Sequence, residues 1–508
     1  MADYRALQNG SDIRGVALEG IPGEPVNLTA AAAADLAAAF GVWLSQRLDK
    51  PLEQLTVSIG RDSRLSGPAL AQAAATGLLE EGVQVVDCAM ASTPAMFMST
   101  VLEGHRYDGA IMITASHLPF NRNGLKFFTA QGGLEKEDIK AIIALCAQPR
   151  KTGGRGVLRP ANLIDDYAAY LAEKIRRGIQ DPDHYDQPLL GFKIAVDAGN
   201  GAGGFFAGKV LAPLGADVSA SRYLEPDGRF PNHIPNPEDP AAMASITQAV
   251  VENGCDLGLI FDTDVDRAGA VDGDGEELNR NRLIALMAAI VLEEDPGATI
   301  VTDSVTSSQL ADFITRELGG VHHRFKRGYR NVINEAIRLN REGISAPLAM
   351  ETSGHGALRE NYFLDDGAYL CVKLLIQAAR LRRQGKTLSS LVEKLGEPAE
   401  AKELRLPIEG EEFAAYGQQV LEGLRDYAAG QEGWQLAPDN HEGLRYSFDR
   451  EGLRGWFLLR LSLHDPLMPL NIEADTPGGA KAIARMLQGY LDGCSRLNCR
   501  VLDDFCRS

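Results

Sequence analysis

Three times along this chain a helical pattern closes on a glycine-containing turn and gives way to a short apolar run: LLEEGVQVV from Leu78, LAPLGADVS from Leu211 and RELGGVHHRF from Arg316. Parallel strands cannot be joined by a hairpin and need a crossover, so strands alternating with helices specify layered α/β units. In the first unit LTVSIG and VQVVDC read as strands around the helix PALAQAAATGLLEEG, which has proline near its start and glycine at its end. The strand GAIMIT follows and delivers Ser116. A second unit opens at GFKIAVDA, continues through a helix to a strand at LGADV, and reaches the strand LGLIF, which delivers Asp262. A third runs from the strand ATIVTDS through the helix QLADFITRELGG and the strand VHHRF to the strand APLAM, after which comes Glu351. This is a weak internal repeat of three similar α/β domains with mixed, mainly parallel sheets.

The last hundred residues differ. EGLRYSF and GWFLLRLSL resemble antiparallel strands around a DREGLRG turn, with helical patterns on either side, which gives a C-terminal α+β domain. Polar or Gly/Pro-bearing stretches at GGRGVLRP, DGDGEELN and KELRLP place the domains at 1–155, 156–275, 276–402 and 403–508. A chain of 508 residues is too long for one core and accommodates such a division.

Composition removes several function classes. With 51 basic and 69 acidic residues the net charge is −18, which repels nucleic acid and anionic membranes, and no long basic patch overrides it. The longest apolar run, LIALMAAIVL from Leu283 to Leu292, is about half the length of a spanning helix and reads as a core helix. The N-terminus, MADYRALQNGSD, has no apolar signal region, and seven scattered cysteines fit a reducing compartment, so a cytoplasmic location is expected. Cys494, Cys499 and Cys506 crowd the C-terminus without histidine or a CxxC pair, and read as free thiols rather than a zinc site.

Each α/β unit places polar residues just past the carboxyl end of a strand, the edge where open parallel sheets bind ligands. In Asp262-Thr263-Asp264-Val265-Asp266-Arg267, carboxylates at alternate positions can converge on one hard cation, and three acids suit Mg²⁺. An EF-hand would need glycine and glutamate where the chain has Arg267 and Gly273. Glu351-Thr352-Ser353-Gly354-His355 is rich in groups that hydrogen-bond vicinal hydroxyls and suits a sugar, although such a string alone is more often a capped turn. Arg14, Lys126, Arg267, Lys326 with Arg327 and Arg330, and Arg460 lie near these loops and could hold a phosphorylated ligand.

Gly199-Asn200-Gly201-Ala202-Gly203-Gly204 satisfies GxGxxG, which raises a dinucleotide-binding dehydrogenase as a competitor. No acidic residue stands where a ribose ligand is needed, and the glycines read as a tight strand-to-helix turn. Ser116 is not read as a hydrolase nucleophile. GxSxG is absent, and His117, next to it on an extended chain, would point away. A serine that carries a phosphoryl group beside Mg²⁺ explains more.

Taken in order, GSDIRG, GRDSRLSG, TASH-P, DTDVDR, METSGH with ENYFLDDG downstream, and RLSLHDP resemble the α-D-phosphohexomutase family across residues 10 to 475. The resemblance implies a heart-shaped, four-domain enzyme that interconverts hexose 1-phosphates and 6-phosphates of glucose or mannose through a phosphoserine and a bisphosphorylated sugar. It implies that Ser116 carries the phosphoryl group and that Asp262, Asp264 and Asp266 hold Mg²⁺ against it. Lys126 and His355 match positions that assist proton transfer, with Arg14 beside them. Arg267 would steady the phosphate, Glu351 and Ser353 would bind sugar hydroxyls, and Lys326 matches a substrate loop. Hexose 1,6-bisphosphate is implied as activator and sugar phosphates as the small-molecule partners of a monomer or homodimer. The fourth loop departs from the family's R-x-S-G-T-E-P, reading Arg460-Leu461-Ser462-Leu463-His464-Asp465-Pro466. Arg460, Ser462 and His464 are then the phosphate donors, His464 charged only when protonated. A phosphoglucosamine mutase and a sugar-phosphate-binding regulatory protein without turnover are the alternatives.

Overall fold

The computed structural model describes residues 4–148, 153–450, 452–462 and 465–507. The chain divides into two compact units, one of Met1–Met287 with Ser353–Leu391, the other of Ala288–Thr352 with Val392–Ser508.

The first unit carries two sheets. In the larger one, Gly109–Ile113, Thr56–Arg61, Gln84–Met90 and Leu158–Pro160 run parallel, and Arg122–Thr129 and Asp12–Val16 continue the sheet antiparallel beyond Gly109–Ile113. Gly109–Ile113 is buried along its whole length, as its unbroken apolar sequence requires of a central strand. The helices Ala30–Leu48 and Gly67–Glu80 pack on this sheet, and Phe40, Phe127, Ile111 and Val57 share its core. In the second sheet Ile194–Asp197 and Leu257–Phe261 are parallel, and Ala268–Asp272 returns antiparallel to Leu257–Phe261. That return strand makes the hairpin whose loop is Asp262–Arg267.

The second unit contains the parallel trio Val321–Arg324, Thr299–Thr302 and Leu348–Met350. It also contains an antiparallel sheet of Glu400–Pro407, Leu467–Ala474, Leu453–Leu459, Leu444–Arg450 and Gln435–Leu436, with its own core around Phe457, Leu470 and Ile483. The run Leu283–Leu292 lies inside a helix, Asn281–Glu294, and its leucines, isoleucines, methionine and valine are buried. No helix among the described residues is long and apolar enough to cross a membrane. The described cysteines are all free.

Two expected elements differ. LGADV is not a strand: Leu214 ends a short 3₁₀ turn, Gly215 takes φ of 92°, and a single parallel bridge joins Asp217 to Lys193. Reversal at the glycine leaves too few extended residues to build a ladder. The helix expected over QLADFITRELGG begins at Ser308 and passes at Phe313 into a π-helical turn that ends at Glu317.

Candidate active site

The strand Gly109–Ile113 ends in a loop that brings Ser116 into the interior, 1% exposed, with φ of 51°. That left-handed conformation is uncommon for a residue with a Cβ and persists only where surroundings enforce it. Here they do. The Ser116 amide donates to Thr114 Oγ1 at 2.9 Å, Thr114 donates to Asp62 at 2.7 Å, and the buried Arg64 guanidinium donates to the Ser116 carbonyl. Burial lifts the Asp62 carboxyl to about 6, against the pull of Arg64. Arg14, on Asp12–Val16, two strands away in the same sheet, donates to the Ala115 carbonyl at 3.0 Å and pairs with Asp12 at 3.1 Å.

The left-handed turn also corrects the reading of His117. On an extended chain its ring would point away, but in this turn Nδ1 lies 3.3 Å from Ser116 Oγ. Burial, with Arg267 and Arg14 near, pushes the imidazole down to about 2, so it stays neutral.

Ser116 Oγ donates to Asp262 Oδ2 at 2.8 Å. Asp262, Asp264 and Asp266 are buried, and one oxygen of each lies within 4.8 Å of the others. Burial, with Asp266 and Asp264 adding to it, raises Asp262 well above the carboxylate range. At Asp266 burial pushes the carboxyl up, but Lys126, 2.5 Å away, with His355 and Arg267 together outweigh it and hold the carboxyl well below that range. Lys126 also reaches Asp264 at 3.2 Å. Asp264 Oδ1 and Asp266 Oδ1 are buried without a hydrogen-bond partner among the described residues. Three crowded, desolvated carboxylates with orphaned oxygens suit a hard divalent cation, which satisfies those oxygens and removes the repulsion.

Backbone packing fixes this loop. Val265, a β-branched residue, takes φ of 67°, and its carbonyl accepts from Gly367 N at 3.0 Å. A Cβ on Gly367 would meet the Arg267 carbonyl oxygen at 2.5 Å, so only glycine lets the helix Gly367–Arg382 start this close. One GxGxxG glycine serves the same loop from the other side: a Cβ on Gly201 would lie 2.6 Å from the Thr263 carbonyl oxygen, to which Ala202 N donates at 2.7 Å. This is a tight turn packed on a carboxylate loop. From the start of the helix Thr93–Met98, Thr93 donates to Asp264 through both its amide and its hydroxyl.

His355 and Asp365 complete the cluster in the first unit. His355 Nδ1 is 2.5 Å from Asp365 Oδ2, and Nε2 accepts from Arg267 Nε at 2.8 Å. Asp266, His355 and Asp365 are close enough to form a second metal set, but both histidine nitrogens already face protein groups and Arg267 and Lys126 supply positive charge there. This set handles protons better than it holds a cation. Ser353 is buried and its hydroxyl has no hydrogen-bond partner.

The remaining residues named from the sequence lie in the second unit. Glu351 is buried and accepts from Gly328 N at 2.6 Å. Lys326 is exposed, its ammonium 6.0 Å from the Phe325 ring centroid. Arg460 is buried, which lowers its pKa, and faces Glu442 at 3.6 Å. Ser462 Oγ accepts from Asp465 N at 3.2 Å. His464 lies outside the described residues.

Asp62 and Arg64, within GRDSRLSG, and Thr93 also hold these loops, though no motif in the sequence assigns them that part. An acid and an arginine two residues apart, just past a strand's carboxyl end, were the available signal.

Known proteins resemble this chain over most of its length. Residues 5–152, 165–275 and 279–398 match the families described as phosphoglucomutase/phosphomannomutase, alpha/beta/alpha domains I, II and III. A protein named phosphomannomutase/phosphoglucomutase from Pseudomonas syringae pv. tomato is 31% identical over 439 residues, covering 86% of this chain and 86% of that protein. A phosphoglucomutase from Neisseria gonorrhoeae is 30% identical, covering 86% of this chain and 88% of its own. Among solved structures, a phosphoglucomutase/phosphomannomutase family protein from Burkholderia thailandensis superimposes with a TM-score of 0.76 at 29% identity, over 95% of this chain and 97% of that one. With three α/β/α domains, a further sheet domain and relatives of about 30% identity across most of its length, the chain belongs to the phosphoglucomutase/phosphomannomutase family of α-D-phosphohexomutases.

Proposed function

We propose that this protein is a phosphohexomutase that interconverts the 1-phosphate and 6-phosphate of glucose, mannose or both. One observation carries the reading: a buried serine hydroxyl, held in a left-handed turn, donates at 2.8 Å to one of three converging carboxylates. Ser116 carries a phosphoryl group in the resting enzyme. The bond between phosphorus and Ser116 Oγ breaks as a sugar hydroxyl attacks, the sugar hydroxyl loses its proton, and Ser116 Oγ regains one. The bisphosphorylated sugar then turns over and returns its other phosphate to Ser116.

Asp262, Asp264 and Asp266 would hold Mg²⁺ beside Ser116, where it would neutralise charge on the transferring phosphoryl oxygens. Lys126, an ammonium buried between Asp264 and Asp266, and His355, oriented by Asp365, move the two protons. Arg14 and Arg267 offer charge to the same phosphate. Glu351 and Ser353 bind sugar hydroxyls, Lys326 contributes to substrate binding from its own loop, and Arg460, Ser462 and His464 grip the phosphate that is not transferred. The family names of the relatives favour glucose and mannose. Hexose 1,6-bisphosphate is the activator in this reading, sugar phosphates are the partners, and the compartment is the cytoplasm. The divisions after residues 155, 275 and 402 belong to the same reading.

The test is a ³¹P NMR time course with Mg²⁺, a trace of glucose 1,6-bisphosphate, and glucose 1-phosphate or mannose 1-phosphate in separate tubes. Growth of a 6-phosphate signal is expected. Silence in both tubes from folded protein would overturn the reading in favour of an amino-sugar substrate or a binding role without turnover.

A further inference from the structure

Arg64 has no part in the chemistry above, yet it is among the largest fully buried side chains of the protein, 1% exposed. A buried guanidinium is costly unless its donors are met. Its partners are main-chain carbonyls of a single loop: Ser116, Leu118 at 2.5 Å, Pro119 at 2.8 Å and Arg122 at 2.9 Å. Asp62 lies 3.4 Å from Nε, and the same carboxylate takes the Thr114 hydroxyl that accepts the Ser116 amide. Asp62 and Arg64 therefore hold both the amide and the carbonyl of Ser116, the residue whose backbone is left-handed.

This arrangement sets direction as well as position. In a trans peptide the carbonyl and the following N–H point opposite ways, so drawing the Ser116 carbonyl onto Arg64 turns the His117 N–H away from it. No side chain other than arginine offers a planar fork of five donors that can span several carbonyls at once. Lysine is a point donor and could serve only part of the set.

We propose that Arg64 is a positioning residue for phosphoryl transfer: it clamps the Ser116–Arg122 loop from beneath and so aims Ser116 Oγ at the carboxylate cluster. This rests on the mutase reading. It predicts that Arg64 governs the chemical step and leaves sugar-phosphate affinity in place, because Arg64 faces carbonyls and not the ligand.

The experiment compares wild type, Arg64→Lys and Arg64→Ala in the turnover assay, with kcat and KM separated and with phosphoryl incorporation at Ser116 followed by peptide mass after exposure to glucose 1,6-bisphosphate. The expected result is a fall of ~10²-fold in kcat for Arg64→Ala, a smaller fall for Arg64→Lys and KM within about threefold of wild type, since a displacement near 1 Å costs about that much. Incorporation at Ser116 should slow in parallel, and millimolar guanidinium should restore part of the Arg64→Ala rate. If Arg64→Ala does not fold, Arg64→Lys decides alone. Wild-type kcat in a folded Arg64→Lys or Arg64→Ala protein, or a loss confined to KM, would overturn the inference. A wild type that neither turns over nor takes up phosphate would instead sink the mutase reading itself.

Discussion

The serine loop of the first unit and the fourth loop of the second differ in almost every physical respect. Ser116, Lys126, Asp262, Asp264 and Asp266 are each no more than 5% exposed, and every one is held by a neighbour. In the fourth loop Arg460 is buried as well, but Ser462 is half-buried and Asp465 is exposed. The lesson is about what each task demands. Stabilising charge during phosphoryl transfer requires fixed dipoles and charges in a dry site, where they act strongly and need no reorganisation. Gripping the end of a substrate that must enter, turn over and leave requires accessible donors. Sequence follows the same division: around Ser116 and the three aspartates the departures, Leu118 for asparagine and Thr263 and Val265 for glycine, remove no group from the proposed mechanism, while the fourth loop has Leu463, His464 and Asp465 in place of glycine, threonine and glutamate.

That contrast can be broken most directly at Arg460. Arg460→Ala should raise KM for hexose 1-phosphate by about 10- to 100-fold and leave kcat within about threefold, because on the proposed reading the lost charge would hold a phosphate that does not react. A collapse of kcat at constant KM would erase the distinction between the two loops. His464→Ala should act in the same direction but by only a few-fold, an effect that grows below about pH 6.5, where an imidazole gains charge. An unchanged KM at every pH would remove His464 from the phosphate site.

A smaller effect concerns how the second unit is held together. Arg445 is buried, donates to the Ser304 and Thr306 carbonyls and lies 3.5 Å from the Trp456 ring centroid, while Trp456 Nε1 donates to Glu473 at 2.8 Å. Burial, opposed by Arg445, lifts the Glu473 carboxyl to about 7. The folded state then binds this proton more tightly than the unfolded chain does. Its contribution is complete below the ordinary glutamate pKa and is lost as pH rises through about 7. Glu473→Gln, which keeps an acceptor for Trp456, should lack that loss. The melting temperature of wild type relative to the variant should fall by about 2 °C between pH 5 and pH 8. A constant difference would show that Glu473 stays ionised throughout.

Much of this was legible in sequence, for an identifiable reason. Apolar runs such as GAIMI and LGLIF are fully buried strands, and the polar residues after them sit where the run ends. LGADV misled because a short apolar run around a glycine satisfies a strand pattern and a turn pattern equally. His117 was misread because its direction depends on the φ of Ser116, which no side-chain pattern reports. The spacing of Asp62 and Arg64 marks the pair but not what Arg64 holds, because its partners are main-chain carbonyls more than fifty residues away in sequence, and carbonyls carry no residue code.

The most direct test of the account is the mass of the Ser116 peptide from protein loaded with glucose 1,6-bisphosphate whose phosphates carry ¹⁸O, with Mg²⁺, before and after a chase with excess unlabelled glucose 1-phosphate. The account predicts one ¹⁸O-labelled phosphoryl group on Ser116 that is replaced by an unlabelled one during the chase, and no phosphoryl group on the corresponding peptide of Ser116→Ala, which should also be inactive. Turnover with Ser116 unmodified throughout, or sustained by Ser116→Ala, would contradict it.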